Sequence, residues 1–191
     1  MLRWQPYEAP GCVPMIEEGH AWWGGEEVAR AARERGCVVV AGAFDGLHLG
    51  HQSLVSAAKA SARQEGVPCV ALTFDPDPME VLAAGTSGDL LLSCRDRALG
   101  LLGLGVDGVL VLEFTSELAA LSAEAFVRDT LCELLRPVCV HVGANFRFGS
   151  GGKGDVELLE RLGRELGFAV LGHPMVSSGG EAVSASRVRS L

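Results

Sequence analysis

The chain has 191 residues, 48% of them hydrophobic and 21% charged, which suits one well-packed domain and is short for two. Its formal net charge of −8 argues against the broad basic face that nucleic acid or an anionic membrane surface requires, yet leaves room for a phosphate ligand held by a few local donors. The N-terminus carries no apolar core of signal-peptide length and no run approaches the roughly 18 apolar residues of a membrane span, so a cytoplasmic protein is expected.

In chain order, the first 36 residues fit least well. "EEVARAARERG" (26–36) reads as a surface helix, with Trp22 and Trp23 anchoring an N-terminal extension to the body. "CVVVAGAF" (37–44) is the first strand. "HQSLVSAAKASARQEG" (51–66) is an amphipathic helix, because Leu54, Ala57, Ala58 and Ala62 keep helical spacing and Gly66 stops it. "VPCVALTF" (67–74) is the second strand, "RDRALGLLGLG" (95–105) a helix, and "DGVLVLEF" (107–114) the third strand. "SAEAFVRDTLCELL" (122–135) is a helix with Ser122 at its N-cap and Glu124 close behind. "VCVHVG" (138–143), "GDVELLERLGRELG" (154–167) and "FAVLGHP" (168–174) continue the alternation as strand, helix and strand. Near-continuous apolar strands alternating with helices predict an α/β fold, a Rossmann-like open parallel sheet of about five strands with helices on both faces.

The six cysteines are widely spaced, with no C-x-x-C pair, and read as reduced, mostly core residues rather than metal or redox sites.

The chemistry concentrates in "GAFDGLHLGH" (42–51), between the first strand and its helix. In open parallel sheets, ligands bind outside the carboxyl ends of the strands where strand order reverses. A helix starting near His48 offers free N–H groups and the positive end of its dipole, both suited to phosphate. Gly46 and Gly50 allow the backbone to approach a ligand. His48 and His51, three apart, share a helix face and can donate to the oxygens of one polyphosphate. A zinc site lacks a third ligand at a suitable spacing, and a Walker loop is excluded because no G-K-S/T occurs.

This stretch resembles the G-x-F-D-G-x-H-x-G-H signature of the adenylyltransferase module of bacterial FAD synthetases, members of the H-x-G-H nucleotidyltransferase superfamily. Three further stretches match that family in order: "LTFDPDP" (72–78), similar to its F-x-P-H-P; "GANFRFGSGGKGD" (143–155), similar to its G-x-N/D-F-x-F-G; and "VSASRVR" (183–189), similar to its S-S-T-x-I-R. The likeness spans roughly residues 37–191, taken as the nucleotidyltransferase domain; the chain stops after the last motif, so the family's β-barrel riboflavin kinase module is expected to be absent.

The resemblance implies FMN adenylyltransferase activity: ATP and FMN give FAD and pyrophosphate, with Mg2+. It implies that His48, His51 and Arg189 are catalytic, and that Gly42, Ala43, Phe44, Asp45, Gly50, Ser184 and Ser186 join them in holding ATP. It implies a flavin site from Phe74, Pro76, Asp77, Pro78, Asn145, Phe146, Arg147 and Phe148, with Asn145 the candidate contact to magnesium. Taken singly, each phenylalanine is equally well explained by core packing. The sequence departs from the family pattern at Ala43 (often Asn), at Ala185 and Ser186 (Ser and Thr), and at Asp77, which replaces the His of F-x-P-H-P. If Asp77 lies near the FMN phosphate, the two charges repel, and magnesium or Arg147 must offset them. The rival readings are a small transferase of the superfamily with another phosphate acceptor, and a non-catalytic flavin or nucleotide sensor. The expected partners are small-molecule nucleotides and flavin, with no nucleic acid and no membrane.

Overall fold

The computed structural model describes residues 15–17, 19–78, 81, 90–175, 177–178 and 181–182. The last motif, with Ser184, Ser186 and Arg189, lies outside these residues.

The expected alternation is present. Strands β3 (Cys37–Ala41), β4 (Cys69–Asp75), β5 (Gly108–Glu113), β6 (Pro137–Gly143) and β7 (Ala169–His173) pair in parallel in the spatial order β5-β4-β3-β6-β7. β3 is central and its residues are at most 4% exposed, which is why its sequence is an unbroken apolar run. Side chains alternate between two cores: Cys37, Val39 and Ala41 join one, Val38 and Val40 the other.

The second core is closed by α2 (Leu49–Glu65) through Leu54, Val55, Ala58 and Ala62, and by α3 (Cys94–Gly103) through Ala98 and Leu101. The first is closed by α1 (Glu26–Arg35), by the segment 123–134 and by the helix Val156–Leu166. Segment 123–134 is not one regular α-helix: Phe126–Leu131 is π-helical, flanked by short α-helical turns. Ser122 caps it as expected, its hydroxyl accepting from the Ala125 amide at 3.1 Å.

Two antiparallel strands add to the five parallel ones. β1 (Met15–Glu17) pairs with β2 (His20–Trp23), and β2 pairs antiparallel with β5. Trp22 and Trp23 sit in β2 and pack into the body as expected; at 2% and 4% exposure they enter opposite cores. Cys37, Cys69 and Cys139 are buried without disulfides, and burial pushes the Cys37 and Cys69 thiols up to about 12. Among the described residues no helix is long and apolar enough to cross a membrane.

Candidate active site

Strand order reverses beside β3: the chain runs from β3 to β4 and β5 on one side, then crosses to β6 and β7 on the other. The crevice at the carboxyl ends of β3 and β6 is the place where such sheets bind ligands. Residues 42–51 leave β3 at that point.

The loop is held in an unusual path. Phe44 (φ 57), Gly46 (φ 77) and Leu47 (φ 42) all take left-handed conformations, two of them without the freedom of glycine. Three anchors stabilise this path. Phe44 is fully buried. The Asp45 carboxylate, 3% exposed, accepts from the amides of Leu91 and Leu92 at 2.9 and 3.1 Å. The Ala43 carbonyl accepts from Thr73 Oγ1 at 3.0 Å and from Arg97 Nη1 at 3.1 Å. Gly46 is favoured by its φ of 77°, and a Cβ there would also press on the end of the Leu91 side chain at 2.7 Å.

His48 then takes the N-cap position of α2, with no side-chain cap, and the first-turn amides stay available. The His48 and His51 rings stack with centroids 3.7 Å apart and planes 18° apart, and Phe44 meets His51 edge-on at 5.2 Å. Nδ1 of each ring is buried without a partner. A buried N–H lacking an acceptor is worse than an unused lone pair, so we assign the proton of each neutral ring to Nε2. Burial pushes His51 down to about 4, helped by His48 and opposed by Asp45. Burial also lowers His48, against the pull of Asp45. Both rings are thus neutral donors at pH 7 before a ligand arrives.

The second motif ends β4. Phe74 is 8% exposed and packs edge-on against Phe114 with centroids 5.8 Å apart. Asp75–Pro76 is a cis peptide. Asp77 is 4% exposed and its carboxylate lies 3.8 Å from Nη1 of Arg97, a residue with no solvent exposure. Arg147, expected to balance Asp77, is instead exposed and donates to the Phe146 carbonyl at 3.2 Å. The balancing cation is Arg97, brought in by α3.

The third motif leaves β6. Asn145 is exposed beyond the strand end. Phe148, 7% exposed, lies 6.0 Å from Phe126, and Phe146 stacks on Phe148 at 5.6 Å. Phe74 and Phe148 are thus core residues, and Phe146, Pro76 and Pro78 keep partial exposure at the rim. The glycines that follow serve the fold: a Cβ on Gly149 (φ +70) would fall 2.6 Å from the Ala123 backbone. Asp155 caps the next helix, accepting from Leu158 at 2.9 Å.

Residues 30–187 match the family described as FAD synthetase. The chain belongs to the FAD synthetase family. Among its relatives, the bifunctional riboflavin kinase/FMN adenylyltransferase of Escherichia coli strain K12 is 36% identical over 158 residues, covering 83% of this chain and 50% of that protein. The protein of the same name from Pseudomonas fluorescens is 37% identical over 156 residues, 82% of this chain and 50% of the relative. The chain thus spans about half the length of these curated relatives. A crystal structure named as a macrolide-efflux protein from Streptococcus pneumoniae superposes with a TM-score of 0.70 at 30% identity, over 81% of this chain and 50% of that one.

Two features of this FAD synthetase family member escaped the sequence reading. Asp45 Oδ1 accepts from the Leu91 and Leu92 amides, a latch on the loop that the motif did not suggest. Arg97 falls within the expected helix 95–105, but the sequence pattern assigned it no role of its own. One signal was available: Arg97 and Leu101 lie four apart, so a charge occupies the apolar stripe of α3.

Proposed function

We propose that the chain transfers the adenylyl group of ATP to FMN, forming FAD and pyrophosphate. The observation that carries this is the stacked His48–His51 pair beside the open first turn of α2, at the switch point of the sheet. Neutral Nε2–H donors and free amides suit a triphosphate, and family membership supports the acceptor.

In this reading a phosphate oxygen of FMN attacks the α-phosphorus of ATP. The bond from that phosphorus to the oxygen bridging toward the β-phosphorus breaks, and its electron pair leaves with pyrophosphate. The protein's part is positioning and charge neutralisation. His48 and His51 donate to phosphate oxygens as charge builds there. Ser184, Ser186 and Arg189 join in holding the phosphates, as the family likeness implies. Phe146, Pro76 and Pro78 flank the flavin ring, with Phe74 and Phe148 as the packing behind them.

Among the described residues no cluster of three or more His, Cys, Asp or Glu offers a metal cage. Asp45 and Asp77 are buried and engaged. Asn145 is exposed, and an amide oxygen is a ligand type that suits a magnesium ion held chiefly by substrate phosphates and water. Such an ion neutralises the leaving pyrophosphate. The domain that does this chemistry is residues 37–191, with β1, β2 and α1 completing one side of it, and its substrates place it in the cytoplasm.

The test is incubation with ATP, Mg2+ and FMN, following FAD and pyrophosphate. FAD forms, and His51→Ala lowers kcat by about 10²–10³-fold, the loss typical of one preorganised donor, with little change in the FMN Kd. Binding of both ligands by the wild type without turnover would favour the sensor.

A further inference from the structure

Arg97 is completely buried, yet nothing in the packing of α3 calls for a charge: its neighbours on that stripe are Ala98 and Leu101. Its guanidinium touches two loops at once. Nη1 donates to the Ala43 carbonyl at 3.1 Å and lies 3.8 Å from Asp77. Nη2 donates to the Phe74 carbonyl at 2.7 Å and lies 3.9 Å from Asp75. Ala43 begins the loop that carries the paired histidines, and Phe74 to Asp77 form the end of β4 and the loop on the flavin side.

Burying a guanidinium is unfavourable unless its donors are matched, and an apolar side chain of similar volume usually serves stability as well. Here the match is incomplete, because Nε is buried without a partner. What the planar fork supplies that an apolar residue lacks is fixed distances. It sets the separation between the Ala43 carbonyl, in the loop just beyond β3, and the Phe74 carbonyl, near the end of the neighbouring strand β4.

We propose that Arg97 is a positioning residue for adenylyl transfer: it clamps the histidine loop to the flavin-side loop, and Asp77 is its counter-ion, not a group that meets the flavin phosphate. This rests on the adenylyltransferase reading. The two loops carry groups for opposite reactants, so their spacing governs the approach of the FMN phosphate to the α-phosphorus. A misplacement of about 1 Å can lower such a rate on the order of 10²-fold while each substrate still binds.

The experiment uses Arg97→Lys, Asp77→Asn and the double variant. Lysine keeps the charge but has no fork, so it cannot hold both carbonyls. Arg97→Lys is expected to lower kcat at least about tenfold, with the Kd of FMN and of a non-hydrolysable ATP analogue each within about threefold. Because Asp77 acts through Arg97, the double variant should be no slower than Arg97→Lys by more than about twofold. Wild-type kcat in Arg97→Lys, or losses that multiply in the double variant, overturn the proposal. Hydrogen exchange without ligand provides an independent reading: Arg97→Lys should raise exchange at residues 42–47 and 74–77 together, and a rise in one loop alone also overturns it. If the wild type makes no FAD, the adenylyltransferase reading fails, and exchange still decides whether Arg97 clamps the loops.

Discussion

The imidazoles of His48 and His51 lie face to face, 3.7 Å between centroids, each with a buried and unpartnered Nδ1. Burial makes both rings resist protonation, and at His51 the neighbouring His48 adds to the effect. A nearby polyphosphate acts in the opposite direction and raises both.

The first prediction follows from that opposition. His51 sits at about 4 in the free protein, so at pH 6 it carries almost no proton. ATP binding should therefore take up protons at pH 6. The uptake is read as different apparent binding enthalpies in two buffers of different ionisation enthalpy. His51→Ala should remove most of it. Equal enthalpies in the two buffers for the wild type would show that the phosphates do not reach these rings.

A second prediction separates the two roles of Asp45, latch and charge. Asp45→Ala leaves the amides of Leu91 and Leu92 without their acceptor, at a cost of about 1–3 kcal/mol, and frees a loop already in left-handed backbone. Asp45→Asn keeps an oxygen in place but removes the charge that raises both histidines. Urea unfolding should place Asp45→Asn close to wild type and Asp45→Ala well below it. Histidine titration by NMR should find the His51 pKa lower still in Asp45→Asn. If the two variants lose equal stability, the carboxylate acts by its charge rather than as the latch.

A third concerns the far side of the sheet from the aromatic cluster. His141 is 1% exposed; its Nδ1 lies 2.9 Å from His173 Nε2 and its Nε2 lies 3.0 Å from Ser61 Oγ. Burial, and then His173, lower it from 6.5 to about 4. The folded state thus holds this ring neutral where the unfolded chain would protonate it. As pH falls from 6.5 toward 4, the unfolded state takes up the proton first and stability declines; above 6.5 the group has no pH effect. His141→Leu should lose less unfolding free energy than wild type between pH 7 and pH 5, whatever its stability at pH 7. Identical losses in urea titrations at those two pH values would contradict the assignment.

Much of this was legible in the sequence. The β3 run, the glycine-rich turn and the paired histidines are contiguous, so local pattern sufficed to place them at a strand end and a helix start. What stayed hidden depends on pairs far apart in the chain. Asp45 meets Leu91 across 46 positions, and Arg97 meets Ala43 across 54. No local period reports such contacts; the topology creates them by laying α3 against the ends of β3 and β4. The strand that carries Trp22 and Trp23 was hidden for another reason, although their packing was expected. β2 is only four residues long and buries side chains on both faces, so it shows neither alternation nor a long apolar run.

The last prediction turns on Asp77, where the family pattern has histidine. Aimed at the flavin phosphate, the carboxylate would repel FMN, and Asp77→His would tighten FMN binding at low magnesium. Its observed place gives a different expectation. At 4% exposure and 3.8 Å from Arg97, its charge is spent on a buried guanidinium. A histidine there stays neutral beside that cation, leaving Arg97 with Asp75, whose side chain is 24% exposed and 3.9 Å away. Removing one partner of a buried pair costs roughly 3–5 kcal/mol, and the remaining carboxylate should hold the loss to about 2 kcal/mol. For a chain of this size that is a fall of roughly 4–8 °C in Tm. FMN affinity should change by less than about threefold, and equally at low and high magnesium, because screening by the ion matters only for a charge that reaches the phosphate. Thermal unfolding and FMN titrations across a magnesium series test both halves. Unchanged stability with tighter FMN binding at low magnesium would return Asp77 to the flavin site and detach it from Arg97.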